Sequence, residues 1–248
     1  MKYLLLDIGN SNIKAGVTDK NGVIIHSVKR AEYDKNNFTA ALETLLGKYK
    51  GMNFDKSGIS LVDSGLKDEL SDFVIKNVTN DNIFVDINHN CGIKFRYEKT
   101  LGSDRVAAAA GAYFNYGDYK NILIVDFGTA TTYSILSEGV YMGGIITPGL
   151  FLSHNALIKN TDLPDVELNS KFDFLNSGTK GAIRSGILLN AKMSFEGIVG
   201  GYESIYNDMI VIATGGGTAL MKKISDKIEL IDENLVLKGI LKILNYYN

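Results

Sequence analysis

Two carboxylates stand at the ends of apolar runs, each followed by glycine and then by residues that donate hydrogen bonds. The first run, Leu4-Leu5-Leu6, leads into Asp7-Ile8-Gly9-Asn10-Ser11-Asn12-Ile13-Lys14. The second, Ile122-Leu123-Ile124-Val125, leads into Asp126-Phe127-Gly128-Thr129-Ala130-Thr131-Thr132. A continuous apolar run is what a strand covered on both faces requires, and the turn after it offers backbone N–H groups to an anion. Ser11 and Asn12 add side-chain donors and Lys14 a point charge, so phosphate oxygens are the natural guests. A buried carboxylate is costly unless a cation or donors satisfy it, so Asp7 is expected to hold a metal ion or its water. The recurrence predicts two related halves that face one nucleotide.

A third group is Gly102-Ser103-Asp104-Arg105, which opens an alanine-rich helix, Val106-Ala107-Ala108-Ala109-Ala110. Gly102 or Ser103 suits the N-cap and Asp104 the first turn. Arg105 opposes the helix dipole there, so capping does not account for it. An acid beside a guanidinium supplies a general base for a hydroxyl and a fork for a carboxylate, which points to a small hydroxy acid. A fourth is the run Gly215-Gly216-Gly217 after the strand-like Met209–Ala213. A strand entering glycines from which a helix leaves lets backbone approach a flat or anionic group, the adenosine side of a nucleotide site. Paired Asp-x-Gly turns also occur in aspartic proteases, but those are all-β, and this chain is rich in helical periodicity.

The elements that position these groups alternate. Strands are expected at Tyr3–Asp7, Ile13–Thr18, Val23–Val28, Gly58–Val62 and Asn82–Val85, with Asn21-Gly22 as a hairpin turn. Helices are expected at Asn37–Lys48 and Leu66–Asn77. The later part repeats this order, with strands at Asn121–Val125, Thr131–Ser137 and Val140–Ile146, a helix from about Leu150, and longer helices over Thr179–Tyr206 and Leu235–Tyr246. This predicts an α/β protein of two packed halves, residues 1–115 and 116–248, with the nucleotide cleft between them.

The chain has 248 residues, 45% of them hydrophobic, enough for a full core. Its 26 basic and 28 acidic residues give a net charge of −2, without the cationic surplus a nucleic-acid partner favours. One cysteine, Cys91, forms no intrachain disulfide and supplies no metal-ligand spacing. His26, His89 and His154 stand singly and receive no role. No apolar run approaches a membrane span, so a soluble, cytoplasmic protein is expected.

Taken together, these motifs make the sequence resemble the type III pantothenate kinases, a branch of the acetate and sugar kinase/Hsp70/actin superfamily. The likeness extends through Gly143-Gly144-Ile145-Ile146-Thr147-Pro148-Gly149, Thr161-Asp162-Leu163-Pro164-Asp165-Val166 and Asn176-Ser177-Gly178-Thr179. It implies two ribonuclease H-like (actin-like) halves, each a mixed sheet flanked by helices, and phosphorylation of pantothenate by ATP at the start of coenzyme A synthesis. It implies that Asp7, Ile8, Gly9, Asn10, Ser11, Asn12, Ile13, Lys14 and Thr129 bind ATP, with Gly215 and Gly216 on the adenosine side. Asp126 would bind a monovalent cation, potassium or ammonium, and magnesium would accompany the nucleotide. Asp104 would be the proton acceptor. Tyr97, Gly102, Ser103, Asp104 and Arg105 would line the pantothenate site, which Thr179 reaches from the partner subunit of a homodimer. Ser11 stands where many members have threonine, and Tyr97 lies nearer Gly102 than their tyrosine does. Rival readings are a kinase of another small hydroxy acid or sugar on the same fold, and a non-catalytic ATP-binding regulator.

Overall fold

The computed structural model describes residues 1–22, 24–34 and 36–247. They form two compact units: residues 1–117, 139–141 and 234–248 make the first, and 118–138 with 142–233 the second.

The first unit is built on a five-stranded sheet of order β3-β2-β1-β4-β5. Its strands are β1 (Lys2–Ile8), β2 (Asn12–Asp19), β3 (Ile24–Glu32), β4 (Lys56–Leu61) and β5 (Asn82–Phe84). β1 runs antiparallel to β2 and parallel to β4. It sits mid-sheet with Tyr3, Leu4, Leu5 and Leu6 all buried, which is why four consecutive apolar residues were needed there. On one face, Leu4, Leu6, Ile8 and Ile59 share a core with Phe38, Leu42 and Leu45 of α1 (Phe38–Gly47). Leu70 and Val74 of α2 (Lys67–Asn77) complete that core. The helical spacing of Phe38, Ala41, Leu42 and Leu45 makes the buried stripe of α1.

Two further helices of this unit, α3 (Ser103–Tyr116) and α7 (Leu235–Tyr246), pack on each other through glycines. A Cβ at Gly239 would lie 1.7 Å from the Ala107 carbonyl oxygen, and one at Gly111 would lie 2.3 Å from the Leu235 oxygen. A Cβ at Gly58 of β4 would meet Ile240 of α7 at 2.5 Å. Backbone contact this close holds the last helix in the first unit. A single cut after residue 115 assigns that helix to the second half, and the division has to be corrected there. Helical periodicity shows that a helix buries a face, not which sheet covers it.

The second unit repeats the order of the first, as β9-β8-β7-β10-β11. Here β7 is Asn121–Phe127, β8 Ala130–Ser137, β9 Val140–Pro148, β10 Met209–Thr214 and β11 Leu230–Ile231. β7 runs antiparallel to β8 and parallel to β10, as β1 does to β2 and β4. The recurring Asp-x-Gly signature is therefore the same turn on two copies of one topology. Helices α4 (Leu150–Lys159), α5 (Thr179–Glu203) and α6 (Thr218–Ile224) belong to this unit. Leu188, Phe195 and Val199 of α5 and Met221 of α6 form a core with Leu123 and Val125 of β7.

Most boundaries expected from the sequence shift by one to three residues. The strand expected from Val23 is β3, and Val23 itself lies outside the described residues. Two short strands were not anticipated, β11 and β6 (Lys94–Phe95). The latter pairs in parallel with Val140 and Tyr141 at the start of β9. Two residues carry no readable alternation. Among the described residues no helix is long and apolar enough to cross a membrane.

Candidate active site

The first turn joins β1 to β2. Asp7 stands opposite Lys14 in the antiparallel register, and Ile8 stands opposite Ile13. The turn closes through the Gly9 N–H, which donates to the Asn12 carbonyl at 3.0 Å. That amide is spent inside the turn, and Ile8 and Ile13 are fully buried, so these two bear on a ligand only through their backbone. Asn10 and Asn12 are exposed, while Asp7, Ser11 and Lys14 are half-buried. The sequence reading missed Tyr33, which braces the turn twice. Its hydroxyl donates to the Gly9 carbonyl at 2.5 Å, and its amide donates to the Ser11 carbonyl at 3.1 Å. Burial, and then the charge of Asp63, push the Tyr33 hydroxyl above its ordinary pKa, so it remains a donor.

The second turn joins β7 to β8 and is held from two sides. The Gly149 N–H donates to the Thr129 carbonyl at 3.1 Å, and the Gly217 N–H donates to the Phe127 carbonyl at 2.8 Å. Gly149 cannot carry a side chain, because its Cβ would lie 2.4 Å from the Gly128 oxygen. Gly215, at φ +90°, brings backbone against the Asp126 carboxylate. The glycine run and the second Asp-x-Gly turn, far apart in sequence, therefore form one structure. Gly216 is exposed beside them. A cavity of about 80 Å³ adjoins the second turn and is bounded by Phe127, Thr131, Pro148 and Asn190, while Asp126, Thr129, Gly215 and Gly216 do not line it.

The third group lies at the start of α3. Gly102 is the N-cap and makes no side-chain cap bond. The Arg105 N–H donates to Asp104 Oδ1 at 2.8 Å. Burial raises the Asp104 pKa above the usual carboxylate range, against the opposing pull of the Arg105 N–H and guanidinium. A Cβ at Gly102 would approach Asp104 Oδ1 to 2.6 Å, so the carboxylate needs glycine there. Ser103 is buried, and its hydroxyl donates to the Leu61 carbonyl at 2.9 Å, so its side chain is engaged within the protein.

Arg105 is only 6% exposed. Its guanidinium lies over the ring of Tyr97 at 5.2 Å and over that of Tyr141 at 5.8 Å. Tyr97 is also within 3.4 Å of Nη1 through its hydroxyl and meets Tyr141 edge-on. Two aromatic faces around one guanidinium fix the direction of its fork while leaving it cationic. Tyr141 gave no signal in the sequence, because a fully buried tyrosine on a strand reads as core. Thr179 opens α5, exposed, after the N-cap Gly178.

A braced turn rich in hydrogen-bond donors with a lysine opposite its aspartate, and an acid beside an oriented guanidinium, suit transfer of a phosphoryl group to a hydroxyl on an anionic acceptor. A sequence model of the type III pantothenate kinases matches residues 3–201. The chain belongs to the type III pantothenate kinase family. It is 32% identical over 255 residues to the type III pantothenate kinase of Fusobacterium nucleatum, covering 95% of each chain. To that of Bacillus cytotoxicus it is 33% identical, covering 95% of this chain and 93% of the relative. Among solved structures, a ROK family glucokinase from Streptomyces griseus in complex with glucose and AMPPNP superposes with a TM-score of 0.58 at 14% identity, covering 98% of both chains. At that identity the likeness speaks for the fold, the actin-like and ROK kinase architecture of two sheets flanked by helices. Kinase chemistry rests on the family.

Proposed function

We propose that Asp104 is the base, and Arg105 the carboxylate anchor, in transfer of the γ-phosphoryl group of ATP to the primary hydroxyl of pantothenate. The products are 4′-phosphopantothenate and ADP, in the first step of coenzyme A synthesis. The observation that carries this reading is the pair at the start of α3. One Asp104 oxygen is held by the Arg105 N–H, its pKa is raised by burial, and the neighbouring guanidinium is aimed by Tyr97 and Tyr141. A base whose pKa moves toward neutrality matches a hydroxyl whose proton leaves only as the phosphoryl group arrives. The proton passes to Asp104 as the oxygen–phosphorus bond forms, and ADP departs with the electron pair of the broken bond.

Asp7, Ser11, Asn12 and Lys14 would hold phosphate oxygens with the backbone of the first turn, Thr129 would act likewise, and Gly215 and Gly216 would adjoin the adenosine. Asp126 offers an oxygen donor in a tight turn. No group of three or more His, Cys, Asp or Glu suited to a metal occurs among the described residues. Asp126 would contribute this oxygen to a singly charged cation such as potassium or ammonium, and magnesium would arrive with the nucleotide. These cations would neutralise phosphate charge.

The resemblance also calls for a cytoplasmic homodimer in which Thr179 reaches the partner's pantothenate. In support, Phe174 and Leu175, shortly before Thr179, are 75% and 93% exposed, and Ile146, Phe151 and Leu152 of the same unit also show apolar surface. The test is ADP release with ATP, magnesium and pantothenate, in potassium and again with sodium in its place. Turnover that needs both pantothenate and potassium supports the assignment. Turnover with pantothenate alone removes the cation role, and no turnover from folded protein removes the reaction.

A further inference from the structure

Ser60 has no place in the chemistry above, yet it stands beside Asp7 in the sheet and touches the residue before Asp104. In the parallel register Ser60 of β4 is the neighbour of Asp7 of β1, and Lys14 of β2 is the neighbour on the other side. Side chains at paired positions project from the same face of a sheet, so Lys14, Asp7 and Ser60 form one transverse row. The row lies on the face that carries α3 and α7, since Gly58, two residues before Ser60, faces Ile240 of α7.

From this row Ser60 reaches α3. Its Oγ lies 3.1 Å from the Oγ of Ser103, and both residues are buried, Ser60 completely. A hydroxyl has one proton. Ser103 donates its proton to the Leu61 carbonyl at 2.9 Å, so Ser60 is the donor in the pair. The Ser103 hydroxyl is thus clasped by two consecutive residues at the end of β4, immediately before Asp104. Hydroxyls buried in this way lose more on removal of a partner than an exposed pair would, so the clasp has a definite geometry.

We infer that Ser60 is a positioning residue: through Ser103 it sets where Asp104 stands relative to Asp7, and hence where the hydroxyl is held relative to the phosphates. The inference rests on the proposed roles of Asp104 and Asp7. Its chemical sense is that phosphoryl transfer depends on alignment, and a shift of about 1 Å away from the reacting atoms costs about 100-fold in rate. Helix α3 carries no side-chain N-cap, so the clasp takes over the task of fixing its first turn.

The experiment compares Ser60→Ala, Ser103→Ala and the double variant with the wild type, and includes Ser60→Cys, which keeps the size and a weak donor. Expected are a kcat lower by about 10-fold in each single variant, KM values for ATP and pantothenate within about twofold, and a displaced acid limb of the kcat–pH profile. The double variant should be no slower than the slower single one, because both break the same clasp, and Ser60→Cys should recover part of the rate. A merely structural role would lower the melting temperature and leave kcat per folded molecule unchanged, and that result overturns the inference, as does multiplication of the two losses. If the wild type itself shows no pantothenate-dependent turnover, the reaction falls and the clasp is judged by hydrogen exchange. Faster exchange in Ser60→Ala confined to the Arg105 and Val106 amides supports the clasp, and unchanged exchange overturns it.

Discussion

Gly215 of the glycine run lies against the carboxylate of Asp126: a Cβ built on Gly215 would meet Oδ1 at 2.2 Å and the Phe127 amide nitrogen at 2.8 Å. Its φ of +90° already restricts the position to glycine. Gly215→Ala has to move the second turn or rotate its own backbone, at about 1–3 kcal/mol for the strain alone. The expected outcome is an ATP KM raised about tenfold or more with a lowered melting temperature, read by steady-state kinetics and thermal unfolding. The exposed Gly216, whose Cβ would meet nothing within 4 Å, serves as the control: Gly216→Ala should fold as the wild type does.

The contact of α3 with α7 yields a prediction about stability. A methyl group at Gly239 has no space beside the Ala107 carbonyl, so the two helices must part. Gly239→Ala should lose about 1–3 kcal/mol or more in urea unfolding. Because α3 carries Asp104, its remaining folded fraction should also turn over more slowly.

Asp104→Asn separates catalysis from stability. Turnover should fall by about two to four decades, the range for a lost general base. The folded pKa of Asp104 is raised by burial, so the native state holds this proton more tightly than the unfolded state does. Stability therefore declines as pH rises from the unfolded value of about 3.9 through the folded pKa, the reverse of a salt-bridged aspartate. The Asn variant does not ionise and should melt no lower than the wild type at neutral pH, with the difference closing below about pH 4. In the wild type, the acid limb of kcat/KM should lie above the ordinary carboxylate range, and Asp104→Asn should abolish it.

Arg105→Lys retains the charge and loses the fork and both ring faces. The KM for pantothenate should rise by about one to two decades, the worth of a charge-assisted hydrogen bond, with the KM for ATP little changed. An equal effect on both substrates would contradict the assignment of Arg105 to the carboxylate.

How far the sequence could be read follows from the range of its signals. Apolar runs, glycine turns and the 3.6-residue period are local, and they located the strands around Asp7 and Asp126 and the helices beginning at Ser103 and Leu235. The partners of those elements are not local. That Gly215 rests on Asp126, that α7 lies with β4 and α3, and that Ser103 turns inward to Ser60 are matters of tertiary contact. Tyr33 and Tyr141 escaped notice because a tyrosine that braces a turn or stacks on a guanidinium has the same sequence context as one that fills a core.

The most direct test of the central claim is the product itself. Pantothenate incubated with the protein, ATP and magnesium in potassium buffer should yield one new species heavier by a single phosphoryl group, with its phosphorus coupled to the methylene protons of the primary alcohol in the NMR spectrum. The same incubation with Asp104→Asn should yield at most about a hundredth as much in the same time. Unmodified pantothenate from folded wild-type protein, or phosphorylation at a different position, would contradict the account.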